Sequence, residues 1–166
     1  MKNLNFIALF CLVTFGGCQS KSPIFNADKA FNYLVKQCDF GPRDPGSIGH
    51  EKALEYYLAT FKNLADTVFT QSFDDKMPRT GAQVTMNNVI ARFNTSSPRQ
   101  IMISAHWDTR PWAENSSSVM RKNSPIIGAN DGASGVAVLL ELANVLHKNP
   151  PPIGINIVLF DAEDYG

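Results

Sequence analysis

Three short stretches of this 166-residue chain carry side chains able to hold a cation and move a proton. The first is His106-Trp107-Asp108, which follows the short apolar run Gln100 to Ala105. In extended chain, residues i and i+2 point to the same side. The imidazole and the carboxylate therefore share a face, an arrangement that suits a metal-binding histidine oriented by a carboxylate. A strand-end histidine with a capping aspartate is the plainer reading of the same residues. The second stretch is Gly128-Ala129-Asn130-Asp131-Gly132-Ala133-Ser134-Gly135, which leads into a long helical pattern. Small residues there let the backbone approach another group closely. Asp131 falls at the helix start, where an ordinary N-cap role is equally compatible. A phosphate cradle is disfavoured, because the stretch lacks both the Gly-Lys-Ser/Thr ending and G-x-G-x-x-G. The third stretch, Phe160-Asp161-Ala162-Glu163-Asp164, sets three acids directly after the apolar run Ile153 to Phe160. Alone it reads as a solvated acidic turn.

The elements around these stretches decide whether they meet. Asn26 can cap a helix in which Ala27, Ala30, Phe31, Leu34, Val35 and Cys38 recur at helical spacing, stopped by Gly41-Pro42. A second helix is expected from about His50 to Ala65, with Leu54, Tyr57, Leu58, Phe61 and Leu64 on one stripe. Val68 to Phe73 and Val84 to Phe93 have strand composition and are separated by a polar loop with Pro78 and Gly81. Gln100 to Ala105 reads as a buried strand. Residues 107–127 form a loop long enough to suggest function. A helix follows from about Gly132 to His147, and Ile153 to Phe160 reads as a parallel strand buried on both faces. The pattern predicts an α/β fold with a mixed, largely parallel central sheet flanked by helices.

Joint placement says more than any one stretch. In an open α/β sheet, ligands bind beyond the carboxyl ends of the strands. His106, Asp108, Glu163 and Asp164 all follow strands, and Asp131 begins the helix between them. One imidazole among four carboxylates would repel strongly without a cation. Nitrogen and oxygen donors without thiolate fit zinc best among common catalytic metals.

With His106-Trp107-Asp108-Thr109-Arg110-Pro111, the stretches 128–135 and 160–164 resemble the zinc aminopeptidase and glutaminyl cyclase superfamily. Phe40-Gly41-Pro42-Arg43 with Pro45-Gly46-Ser47 is similar to the family's N-terminal segment. The resemblance covers roughly residues 28–166. It implies that Asp131 and Asp164 are zinc ligands and Glu163 the general acid/base. It implies that His106 belongs to a second zinc site in aminopeptidases, and that Asp108 is a supporting carboxylate. One zinc is implied for a cyclase and two for an aminopeptidase. Further ligands are expected downstream of Gly166.

The fuller match is to bacterial versions of the animal-type glutaminyl cyclases. That implies conversion of an N-terminal glutamine to pyroglutamate with release of ammonia. In the alternative, an aminopeptidase, Glu163 would activate water against the first peptide carbonyl. A metal-free binding domain on the same fold is a third reading, disfavoured because Asp131, Glu163 and Asp164 are all present. Trp107 and Trp112 are candidates for a substrate pocket, although buried packing is the commoner role of tryptophan.

The chain carries equal numbers of acidic and basic side chains, so nothing marks it for nucleic acid. Peptide or protein N-termini are the expected partners. Residues 1–18 read as a secretory signal: Met-Lys-Asn, an apolar run from Phe6 to Phe15, then Gly16-Gly17-Cys18. The run is shorter than the about 20 residues a spanning helix needs. Small residues before Cys18 resemble a lipoprotein signal, which predicts export to the bacterial envelope or periplasm and a lipid anchor. Residues 19–25 read as a linker. Residues 26–166 are expected to be the N-terminal part of a longer catalytic domain, because a core strand at the chain's end would lack cover.

Overall fold

The structure, a computed structural model, describes residues 22–77 and 79–164. The expected signal and Cys18 lie outside the described residues. Among the described residues, four strands and three α-helices follow one another in the order α1 (Ala27–Asp39), α2 (Ile48–Lys62), β1 (Thr67–Lys76), β2 (Gln83–Phe93), β3 (Gln100–His106), α3 (Ser134–Lys148) and β4 (Gly154–Phe160). The sheet order is β1-β2-β4-β3. β1 pairs antiparallel with β2, and β2 antiparallel with β4. β3 and β4 run parallel, joined through α3. The mixed α/β architecture expected from the sequence is present, and among these strands its parallel part is the β3–β4 pair.

The helices begin where short polar side chains can satisfy free backbone N–H groups. Asn26 accepts from the Lys29 N–H, and Ser47 accepts from the His50 N–H. The core lies between one face of the sheet and α2 with α3. Tyr57 and Phe61 of α2 meet Val89, Ala91 and Phe93 of β2, Leu139, Leu140 and Ala143 of α3, and Ile155, Ile157 and Leu159 of β4. Phe61 is fully buried, and Phe61→Ala is expected to cost about 3–5 kcal/mol. No helix among the described residues is long and apolar enough to cross a membrane.

Three expectations are corrected. The apolar stripe of α1 is rotated: Phe31 and Val35 are exposed, while Ala30 and Gln37 are buried. Gln37 can be buried because its amide is satisfied. It donates to the Tyr33 and Ala133 carbonyls and accepts from the Tyr57 hydroxyl at 2.8 Å. β3 is an edge strand of the described sheet rather than a buried one, with Ile101 and Met102 exposed. The helix after Gly128 starts at Ser134, later than expected. Residues 129–133 form a wide turn broken at Asp131 (φ −90°, ψ 104°) and Gly132 (φ 90°, ψ −61°), so Asp131 precedes the helix. Cys38 is free and half-buried.

Candidate metal centre and active site

The parallel pair β3–β4 places the first and third stretches side by side. His106 is in register with Phe160, and the Trp107 N–H donates to the Phe160 carbonyl. The α3 crossover then returns the chain over β3. Gly135 makes this contact close: a Cβ there would lie 3.0 Å from that of Ala105.

His106, Asp131 and Asp164 each present one ligand atom, and these atoms all lie within 4.8 Å of one another. His106 Nε2 is 3.1 Å from Asp131 Oδ1, and its Nδ1 is 3.8 Å from Glu163 Oε2. Asp131 and Glu163 are largely exposed, at 59% and 64% of their side chains. Asp164 is nearly buried, and the Arg110 guanidinium lies 3.3 Å from its Oδ1 while also pairing with Glu114. The turn that presents Asp131 needs glycine at both ends. Gly128 (φ 59°) has no room for a Cβ, which would meet Thr109 Cγ2 at 2.4 Å. Gly132 (φ 90°) lies under His106, where a Cβ would be 2.9 Å from the Asp108 carbonyl oxygen.

Asp108 is fully buried and acts on the backbone. Its two oxygens accept from the Glu163 and Asp164 N–H groups, each at 3.1 Å. It therefore holds the acidic turn in place and stands 3.5 Å from His106 Nδ1. The turn carries strain at Ala162, whose φ of 64° is left-handed. That conformation costs a side-chain-bearing residue about 1–2 kcal/mol.

The charges shift each other's protonation. Contact with the Asp108 carboxylate raises the His106 imidazole to about 9; burial opposes the shift, and the charges of Asp108, Glu163 and Asp164 add to it. Burial raises the Asp164 carboxyl above its usual range, and the charge of Asp131 adds to this against the pull of Arg110.

The residues present fit a cation. Among the described residues, the buried Asp164 Oδ2 has no hydrogen-bond partner. Leaving such an atom unsatisfied costs about 1–3 kcal/mol, and a bound ion would offset the charge gathered by Asp131 and Asp164. The donors are nitrogen and oxygen, as zinc accepts in catalytic sites.

Of the two expected pocket residues, Trp107 is placed elsewhere. Trp107 is fully buried: its ring stacks on His50 at 4.3 Å, meets Tyr57 edge-on, and donates Nε1–H to the Asn87 carbonyl. It is a core residue, not a pocket wall, because residue 107 points opposite to His106 and Asp108. Trp112 is half-buried beneath the Arg79 guanidinium, 4.2 Å above its ring. It lines a cavity of about 300 Å³ that none of the metal-cluster residues lines. A separate cavity of about 330 Å³ does reach Asp131, between Arg110, Glu114 and Ile126.

Two contributors escaped the sequence reading. Arg43 is fully buried and, among the described residues, has no carboxylate partner. It donates to the carbonyls of Gln37, Trp107, Ile127 and Gly128, and so ties both flanking stretches together. His50 pairs with Asp161. Arg43 stands in the Phe40–Arg43 stretch that carried the resemblance, but neither role is legible locally, because most partners lie 64 or more residues away.

Comparison with known proteins agrees with this geometry. Residues 88–166 match the model of peptidase family M28. A glutaminyl cyclase of Tannerella forsythia superposes with a TM-score of 0.83 at 38% identity, over 87% of this chain and 49% of that one. A Zn-dependent exopeptidase of Parabacteroides distasonis gives 0.82 at 36% identity, over the same 87% and 49%. The glutaminyl-peptide cyclotransferase of Drosophila melanogaster is 29% identical over 74% of this chain and 33% of its own. The chain thus spans about half the length of the solved relatives and a third of that curated one. These matches support zinc as the metal, and with the motifs they support placing the chain in the zinc aminopeptidase and glutaminyl cyclase superfamily.

Proposed function

We propose that the protein is a zinc-dependent glutaminyl-peptide cyclotransferase acting on peptide N-termini. The observation that carries this reading is the similarity to the Tannerella forsythia glutaminyl cyclase, at 38% identity with a TM-score of 0.83. Asp131 and Asp164 would hold the zinc, with a further donor from elsewhere in the protein.

Bound zinc supplies Lewis-acid polarisation of the glutamine side-chain carbonyl. Everything else falls to the protein's own groups. The cavity beside Asp131 receives the N-terminal residue, and the loop from Arg110 to Ser116 walls it. Glu163, exposed and anchored through its backbone to Asp108, takes a proton from the attacking α-amine. The α-nitrogen bonds to the side-chain carbonyl carbon, the carbon–nitrogen bond of the amide breaks, and Glu163 returns the proton to the departing ammonia. Arg110 holds Asp164 from the other side.

The test is incubation of the full-length protein with a glutamine-initiated peptide. Ammonia release with the peptide otherwise intact is expected. Release of free amino acid instead would make the protein a zinc aminopeptidase, the reading favoured by similarity to the exopeptidase. We also propose a lipid-anchored location in the bacterial envelope, on the strength of the Gly16-Gly17-Cys18 signal. Cys18→Ala should then release the protein from the membrane fraction; unchanged membrane association would refute the anchor.

A further inference from the structure

His50 takes no part in the chemistry above, yet it is built into the site's foundation. It lies in the first turn of α2, buried, with its ring stacked on Trp107. Its Nε2 is 2.8 Å and 3.0 Å from the two oxygens of Asp161, itself buried. A carboxylate only accepts, so Nε2 carries the proton and donates.

Asp161 spends its remaining capacity on backbone. Oδ2 accepts from the Asn87 N–H at 2.6 Å, and Oδ1 from the Ala162 N–H at 2.9 Å. The Asp161 N–H in turn donates to Asn88 Oδ1. Ala162 is the left-handed residue, and the next two N–H groups are those that Asp108 holds. The strained residue is thus clamped from both sides, by Asp161 before it and by Asp108 after it. Of the two clamps, Asp161 is aimed by His50.

We infer that His50 is a positioning residue which, through Asp161, keeps Ala162 left-handed and so sets the placement of Glu163 and Asp164. The catalytic part of this inference rests on Glu163 as the proton-transfer group; the structural part does not.

Three variants of the full-length protein test it. His50→Phe keeps an aromatic ring over Trp107 and removes the N–H. His50→Gln restores an N–H at about the reach of Nε2. Ala162→Gly removes the strain that the clamp opposes. Hydrogen exchange is the readout that needs no activity. His50→Phe should speed exchange at the amides of Ala162, Glu163 and Asp164 by at least about 10-fold, while those of Val89 and Ala91 in β2 stay unchanged. With zinc saturating, kcat should fall by about 10- to 100-fold with KM within about 2-fold. His50→Gln should recover most of both losses. In the Ala162→Gly background, the kcat loss from His50→Phe should shrink several-fold, because glycine holds the conformation unaided.

Exchange at 162–164 unchanged in folded His50→Phe, or an equal loss of kcat with and without Ala162→Gly, would overturn the inference. If His50→Phe does not fold, exchange in His50→Gln decides the matter: protection of 162–164 close to wild type supports it, and its loss refutes it. A wild type that shows no turnover would count against the proposed function alone, since the exchange comparison stands without it.

Discussion

Among the described residues, two that are left-handed and not glycine stand at opposite ends of the sheet, and they are held differently. Asn94 (φ 50°) sits at the end of β2, far from the metal cluster. Its own side chain secures it, donating to the Pro151 carbonyl at 2.8 Å, while its N–H donates to Asp66. Asparagine also tolerates this conformation well. Ala162 (φ 64°) sits among the acids of the candidate site and has no polar side chain to help. Its conformation depends on the carboxylates of its neighbour Asp161 and of the distant Asp108. Strain at the site end is therefore held by carboxylates acting on backbone N–H groups, whereas at the other end the residue's own side chain adds a hydrogen bond. Asp131 and the proposed proton-transfer group Glu163 are exposed there, while Asp108 and Asp161 are buried. Local strain of this kind is found where geometry serves function.

The contrast between aiming and acting can be broken directly. The largest expected effect is on chemistry: Glu163→Gln should lower turnover by about 100-fold or more while zinc stays bound. Steady-state kinetics with metal analysis checks it, and near-normal turnover would remove Glu163 from its role. Next comes a pair of aspartates. Asp108→Ala should cost about 3 kcal/mol, because two buried N–H groups lose a charged acceptor. Asp131→Ala should change the metal-free protein by about 0.5 kcal/mol or less, its carboxylate being exposed, yet abolish zinc binding. Urea midpoints and zinc stoichiometry measure both. Equal stability losses would erase the distinction.

A smaller effect is expected from pH. In chelator-treated protein the His106 imidazole is held at about 9, above its ordinary 6.5. Its favourable contribution is therefore whole below pH 6.5 and is lost as pH rises through 9. Wild-type thermal stability should decline across that window more than that of His106→Gln; parallel curves would contradict it. The smallest effect sharpens the opening contrast. Ala162→Gly should raise stability by up to about 1 kcal/mol, since glycine accepts positive φ. Asn94→Gly should be neutral or slightly destabilising. A stabilisation at residue 94 as large as at residue 162 would show that the two are not held differently.

Much of the frame was legible in the residues. Asn26 marked the start of α1, and β2 and β4 declared themselves by composition. Open-sheet geometry predicted that His106, Asp131 and Asp164 would meet, because each follows or joins elements of the same sheet edge. The misses share a cause. The rotated face of α1 depended on a buried Gln37 whose partners lie on α1 itself, α2 and the turn before α3. Trp107 looked available for substrate until the register put it on the core side.

What the sequence by itself determined is the chemical inventory of the site and its order along the chain. Local pattern is enough for that, since side-chain type and period are local properties. What only the tertiary structure decided is the division of labour among the acids. Asp161, Glu163 and Asp164 are near-neighbours in sequence, yet Asp161 turns inward to His50, 111 residues away, while Glu163 stands in solvent. Asp108 turns inward too, to the backbone N–H groups of Glu163 and Asp164, 55 and 56 residues on. Whether a carboxylate is buried and bonded or exposed and free follows from which distant groups packing brings to it, and no local spacing encodes that.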